Sequence, residues 1–442
     1  MKVIHCVGWY FPSSVGGSEI YVQRLARELQ ARGVEVAIVA PYDAVPGRGE
    51  IERYEHEGTR VLLYPVPPPT TAEQVYGDAS HAAFNVFERL LLEERADVFH
   101  LHSLTYGANG HHVRAARRLG MRTFATVHTP SLMCMRATMR RMGHEVCDGR
   151  VDPVQCVPCY LEHRGVPERA AVLLGAGLRR LPRGLPRVPG RVGTLLATAD
   201  LVRGRAAQIA QLFGDVERVI AVCEWLRVAL IANGAAPNHV VLHRQGVDPP
   251  PVAARTARVA SATNAPLSIG YFGRAQAVKG IEVLISAVRA LPASLGVTLD
   301  LYVIASLSSD QRELKRVAEL VAGDTRIALH PPVPPNEVTG VMLRHDVIAV
   351  PSLWLETGPL VAMEALVLGI PVLGSRLGGI AELVEDGVSG WLEPPGDVAR
   401  WSARIAELAQ QPELVARAGV RARQVPVRRS ADVAEAMLAL YR

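Results

Sequence analysis

The sequence predicts an α/β fold built as two doubly wound domains. Three observations carry this reading. Short β-branched runs alternate with helical patterns along the whole chain. The alternation breaks once, near Gly246-Val247-Asp248-Pro249-Pro250-Pro251, and restarts at Leu267. Finally, 442 residues, 49% of them hydrophobic, are too many for one hydrophobic core. Parallel strands require crossover connections, so a repeated strand–helix–strand pattern implies parallel sheets.

Taken in order, Val3–Val7 and Val34–Ala40 read as buried strands. Between them a helix is expected over Ser18–Arg32. Ile20, Leu25 and Leu29 lie at helical spacing, Ser18 is the expected N-cap and Gly33 the stop. Val98–Leu101, Thr123–Val127 and Val219–Val222 continue the strand series. The proline run and the small residues up to Ala265 read as a linker. Strands then follow at Leu267–Phe272, Leu299–Ile304, Ile327–Leu329, Val347–Val350 and Val372–Leu373. Helices intervene at Gly280–Leu291, Asp310–Val321, Pro335–Arg344, Leu360–Leu368 and Asp397–Ala409. The expected organisation is a first domain over 1–250, a second over 265–425 and a terminal segment over 426–442. Two inserts interrupt the first domain: a cysteine-rich one at 129–160 and a basic, Pro/Gly-rich one at 164–193. Two facing sheets of this kind imply a cleft, with ligands at the carboxyl ends of the strands.

The charge is localised. The chain has 48 basic and 43 acidic side chains, and only Lys2, Lys279 and Lys315 are lysines. Residues 164–205 hold nine arginines against Glu168 and Asp200, while residues 251–442 are balanced. A general nucleic-acid coat is therefore not expected, since such proteins spread basic residues over a face. The basic segment reads either as a solvated loop or as a contact for an anionic acceptor or an anionic membrane surface. No apolar run is long enough to span a bilayer and no leader with a small-residue cleavage site is visible. Cytoplasmic residence is expected, with peripheral contact at the inner membrane face as an option.

Five strand-to-helix loops carry candidate chemistry. Ser13–Glu19, with Gly16-Gly17, lets a ligand approach backbone N–H groups. Gly273–Gly280 carries Arg274 and Lys279, able to converge on one anion. Glu356–Glu364 places two carboxylates with seven residues between them, the second among apolar neighbours where it needs partners. Gly378-Gly379-Ile380-Ala381-Glu382 opens another helix, and His128 ends a first-domain strand. No Asp-x-Asp triplet is present, so Arg274 and Lys279 stand in for a metal as counter-charge to a diphosphate.

In order and spacing these loops resemble the retaining glycosyltransferases of the GT-B fold, in the large family four. The resemblance rests on Gly16-Gly17-Ser18-Glu19, Val127-His128-Thr129, Gly273-Arg274 with Lys279-Gly280, Glu356 with Glu364, and Gly378-Gly379 with Glu382. It implies two Rossmann-like domains facing a cleft, the first for the acceptor and the second for a nucleotide-diphosphate sugar. Arg274 and Lys279 would hold the diphosphate, Glu356 the sugar hydroxyls and Glu364 the ribose. Gly17 would approach the diphosphate or the acceptor, and His128 would hydrogen-bond the sugar. The helix Ala431–Leu440 would cross back to the first domain. No catalytic divalent metal is expected. A UDP-sugar is the expected donor, and a glycan, lipid carrier or small molecule the acceptor. One departure stands out: members of the family commonly carry Phe-Gly where this chain has Gly358-Pro359. Pro359 has no N–H to donate, which leaves Gly358, Leu360 and Val361 as the amides available there.

Cys134, Cys147, Cys156 and Cys159 fall within 26 residues. Four thiols in one insert suggest a structural zinc, with His144 as a competing ligand and an iron–sulfur cluster or plain thiols as alternatives. His100 reads as a structural histidine, and His102 as one able to reach the cleft. Two other functions remain open on the sequence: a nucleotide-sugar epimerase or glycosyl phosphorylase on the same fold, and a zinc-containing nucleic-acid-binding protein.

Overall fold

A computed structural model describes all residues except 15, 45–48, 72, 73, 75, 76, 78, 183–189, 249–264, 306 and 307. Most of the expected linker, together with Arg183 and Arg187 of the basic segment, lies outside the described residues. The chain forms two compact units, Met1–Arg244 with Val433–Arg442, and Gln245–Asp432. The division thus falls before the proline run, and the return to the first unit comes at Val433 rather than at 426.

Among the described residues, the first unit holds ten strands. They are β1 (Lys2–Cys6), β2 (Glu35–Asp43), β3 (Glu52–His56), β4 (Thr59–Val66), β5 (Val98–Leu101), β6 (Arg122–Val127), β7 (Arg140–Arg141), β8 (Glu145–Val146), β9 (Arg218–Ala221) and β10 (Val240–Leu242). Eight of them form one sheet in the order β10-β9-β6-β5-β1-β2-β4-β3, parallel except where β3 folds back on β4. The hairpin β7–β8 stands apart, in the cysteine-rich insert. The second unit has a six-stranded, fully parallel sheet of order β13-β12-β11-β14-β15-β16. Its strands are β11 (Leu267–Arg274), β12 (Val297–Ile304), β13 (Ile327–His330), β14 (Val347–Val350), β15 (Val372–Ser375) and β16 (Gly390–Glu393).

Alternation along the strands explains why both faces of the second sheet are covered. Val347 and Ala349 enter one apolar cluster with Leu284, Trp401 and Ile405. Ile348 and Val350 enter the other, with Leu366 and Ile380. A parallel strand buried on both faces has to be apolar at every position, and β14 reads Val-Ile-Ala-Val. In the first unit, Val3, Leu25, Leu29, Ile38 and Phe124 share a core with Val433, Met437 and Tyr441 of the last helix, Ser430–Tyr441.

Two expectations need correction. Ser18 does not cap the first helix. That helix runs Gly17–Gln30, with extended Gly16 as its N-cap and no side-chain cap hydrogen bond. Nor is the basic segment a loop throughout. Its described residues form helix Glu168–Leu178 and the start of helix Gly190–Asp215.

In each sheet, the first strand of the unit is flanked by strands whose connections leave in opposite directions. In the second unit β11 lies between β12 and β14, and in the first β1 lies between β2 and β5. At such a switch point the adjoining loops part and leave a crevice at the carboxyl ends of the strands.

Candidate active site

In the second unit the crevice lies between the loops that follow β11 and β14. A 3-10 turn, Ala277–Lys279, closes on Gly280, whose φ of 70° opens helix Ile281–Arg289. A Cβ on Gly280 would sit 1.9 Å from the Pro351 carbonyl oxygen, so only glycine lets the two loops touch. The Leu353 N–H donates to the Val278 carbonyl at 2.7 Å and ties them together.

This contact brings Lys279 onto Glu356. The ammonium lies 2.7 Å from the Glu356 Oε1, and the Ser352 hydroxyl donates to the same oxygen at 2.7 Å. Lys279 also stands 4.9 Å from the centre of the Trp354 ring, a cation–π distance. Glu356 is 5% exposed. Its main-chain carbonyl accepts from the Gly379 N–H at 2.6 Å. A Cβ on Gly379 would meet the Gly358 nitrogen at 2.8 Å, which accounts for the Gly378-Gly379 start of helix Gly378–Leu383.

Arg274 is held separately. Its guanidinium pairs with the fully buried Asp310 at 3.0 Å, and Gln276 donates to the other oxygen of Asp310 at 3.3 Å. The sequence offered no signal for Asp310 as a partner, because it sits 36 residues away at the start of another helix. Glu364 is half-buried on helix Leu360–Leu368 rather than sunk in the core. Leu360 and Val361 open that helix behind Pro359, where first-turn N–H groups have no intrahelical acceptor.

In the first unit the glycine-rich loop is organised by Glu19. This buried carboxylate accepts from the Ser14 hydroxyl at 2.8 Å and the Ser18 hydroxyl at 2.7 Å, which is where the expected capping hydroxyl has gone. Gly17 is exposed beside it. Along β1, β5 and the end of β6, four histidines converge. His5 Nδ1 lies 2.9 Å from His102 Nε2, and His102 Nδ1 lies 3.1 Å from His128 Nε2. His100 uses one ring nitrogen on the Tyr441 hydroxyl and the other on Thr126 Oγ1. Burial pushes His5 and His128 down to about 3, and His100 and His102 well below the usual histidine range. All four are thus neutral at pH 7. His5, His100 and His102 bring ring nitrogens within 4.8 Å of one another. A metal there would have to displace either the Tyr441 or the Thr126 contact of His100.

The four cysteines of the insert line one cavity of about 30 Å³, together with Arg136, Arg140, Arg141 and Arg150. Cys156 and Cys159 project from one face of helix Pro153–His163, whose Asp152 N-cap accepts from Val154 and Gln155. Cys134 follows the turn after β6, and Cys147 follows hairpin β7–β8. None is in a disulfide. The Met142 N–H points at the Cys159 sulfur and the Gly149 N–H at the Cys147 sulfur, each at 3.4 Å. His144 is exposed and is not among the residues lining the cavity.

Comparison with known proteins gives these sites a context. Residues 256–425 match the family model "Glycosyl transferases group 1", and residues 15–173 match "Glycosyltransferase Family 4". The chain is 29% identical over 238 residues to a putative colanic acid biosynthesis glycosyltransferase, WcaL, of Salmonella typhimurium, across 52% of this chain and 57% of that one. It is 29% identical to a D-inositol 3-phosphate glycosyltransferase of Xylanimonas cellulosilytica, over 96% of this chain and 91% of that one. Anabaena HepE, solved with UDP and glucose, superposes with a TM-score of 0.64 at 15% identity, over 100% of this chain and 99% of that one. The two family models fall in different units, and the solved relative shares the fold across both, so the chain has the two-domain fold of the GT-B glycosyltransferases; it spans 57% of the length of the first curated relatives it matches.

Proposed function

We propose that this chain is a glycosyltransferase that moves a sugar from a nucleotide-diphosphate sugar to an acceptor hydroxyl with retention of configuration and without a catalytic metal. The observation that carries the donor site is the Lys279–Glu356–Ser352 cluster at the crevice of the second unit. A lysine already paired with a carboxylate exchanges that partner for a diphosphate, and the freed carboxylate becomes an acceptor for sugar hydroxyls. Arg274, fixed by Asp310, adds the second cation. Glu364 takes the ribose hydroxyls, while the Gly358, Leu360 and Val361 amides make further polar contacts in the second unit; in the first unit the exposed Gly17 leaves backbone open to the diphosphate or the acceptor. His128, neutral, donates to the sugar. In the reaction, the bond from the anomeric carbon to the phosphate oxygen breaks while a bond to the acceptor oxygen forms on the same face. The acceptor proton passes to the departing diphosphate, whose charge Lys279 and Arg274 stabilise. HepE, which binds UDP and glucose, favours a UDP-sugar donor. The chemistry of the acceptor, whether glycan, lipid carrier or small molecule, follows from the first unit.

The test is a thermal-shift series with UDP, GDP, ADP and TDP, followed by nucleotide release from the matching sugars. One nucleotide is expected to raise the melting temperature and to appear as product. No shift with any of the four, and no release, would sink the reading.

Two accompanying assignments belong with it. The four cysteines suit a structural zinc: a set of four thiolates leaves no open position, and the Met142 and Gly149 N–H groups already point at sulfur. Bound there, zinc would order the segment that follows His128. Metal analysis of purified protein should find about one zinc per chain, and loss of binding in C156S/C159S would confirm the ligands. Iron in its place would favour the cluster alternative. The second assignment is peripheral contact with anionic lipid. Helix Glu168–Leu178 exposes Val172, Leu173 (75%) and Leu174 beside Arg179 and Arg180, and no described helix is long and apolar enough to cross a membrane. Sedimentation with anionic but not neutral vesicles is expected; equal sedimentation would remove it.

A further inference from the structure

The histidine row of the first unit does more than line a pocket. His5, His102 and His128 form one hydrogen-bonded chain across β1, β5 and the end of β6, with exposures of 0%, 1% and 7%. A neutral imidazole has one donor and one acceptor, so two consecutive bonds among three rings run in a single direction. Only two assignments keep both bonds. In one, protons sit on Nδ1 of all three rings. In the other they sit on Nε2 of all three.

The end of the chain distinguishes them. His5 Nε2 is buried and has no hydrogen-bond partner among the described residues. The second assignment would place an N–H there with no acceptor, a defect that folded proteins rarely tolerate. The first leaves a bare lone pair at that nitrogen and puts the remaining N–H on His128 Nδ1, which is not among the buried atoms without a partner. We propose that His5 and His102 are positioning residues that hold His128 as its Nδ1–H tautomer, with His5 Nδ1–H donating to His102 Nε2 and His102 Nδ1–H donating to His128 Nε2. His128 then has a fixed, uncharged donor on Nδ1 and cannot accept there. Such an uncharged donor serves a sugar oxygen and supplies no counter-charge to a phosphate. This use of the tautomer rests on the reading of His128 as a sugar ligand; the tautomer itself does not.

The experiment is ¹⁵N NMR of the full chain labelled at histidine, at pH 7.5, with the His128 signals identified by their absence in His128→Gln. The expected result is a protonated Nδ1 and a bare Nε2 at His128; the reverse overturns the proposal. His5→Asn, whose amide N–H₂ replaces the Nδ1–H donor, should keep the wild-type tautomer. His5→Leu, lacking a donor, should give a mixture of the two. An unchanged tautomer in His5→Leu, or a mixture in His5→Asn, would show that the chain is not what holds it. If His5→Leu fails to fold, the wild-type and His5→Asn spectra decide. Expected spectra without any nucleotide-sugar turnover would count against the proposed function alone, and turnover with the reversed tautomer against the relay alone.

Discussion

At the carboxyl ends of β1, β5 and β6 the first unit gathers histidines that burial keeps uncharged. At the carboxyl ends of β11 and β14 the second unit gathers a lysine, an arginine and carboxylates, all in ion pairs. Both units wind their strands outward from a central first strand, so the backbone does not account for the contrast. What differs is whether a charge is left a partner. Lys279 and Glu356 neutralise each other, which makes charge tolerable at low exposure and exchangeable for a ligand's charge. The first-unit rings bond to one another, to Thr126 and to Tyr441, and burial makes the deprotonated state the favoured one there. Under the proposed function, the charged end takes the diphosphate and the uncharged end the hydroxyls.

The contrast can be broken most strongly at the charged end. Glu356→Gln and Lys279→Ala should each lower turnover by about 100-fold or more, the size expected when a preorganised electrostatic contact is lost. Full activity in both would move the donor site elsewhere. Next in size, Gly280→Ala forces a Cβ against the Pro351 carbonyl at a φ of 70°. A loss of about 3 kcal/mol is expected in denaturant unfolding. A loss below about 1 kcal/mol would mean that the two loops part without cost.

The smallest effect sharpens the uncharged end. Burial holds His5 and His128 near 3 in the folded state, below the ordinary value of 6.5. The unfolded chain therefore binds more protons between those values. Stability from these groups is complete above about pH 6.5 and is lost as pH falls toward 3, on the order of 2 kcal/mol at pH 5 for the first protonation. Hydrogen exchange, corrected for its intrinsic pH dependence, should show the first unit losing protection at pH 5 before the second. Equal loss in both units would contradict the assignment of the histidines as the weak point.

Much of the fold was legible in the pattern of residues. β5 and β14 fall where their β-branched runs predict, and helix Leu360–Leu368 matches its expected span. The elements that escaped notice have physical reasons. β3 reads Glu-Arg-Tyr-Glu-His, a polar edge strand without alternation. Its hairpin turn uses Glu57 and Gly58, both at positive φ, instead of the usual Asn-Gly or Asp-Gly. Helix Pro412–Ala422 follows the preceding helix almost at once; its signals are a proline at its first position and Val415, Ala418 and Ala422 at helical spacing. Within the site, Lys279 and Glu356 could be singled out by residue type and loop position, but their pairing could not.

By itself, the sequence determined the class of the fold, the order of its elements and the loops that carry polar residues. These depend on local periodicity and on glycines whose backbone needs are read one position at a time. Only the tertiary structure decided which of those polar groups meet. Lys279 lies 77 residues from Glu356, Arg274 lies 36 from Asp310, and His5 lies 97 from His102. Such pairs are set by strand order and register across a sheet, and by burial that makes an unpartnered charge or donor too costly to keep. Neither quantity is written in any stretch of neighbouring residues.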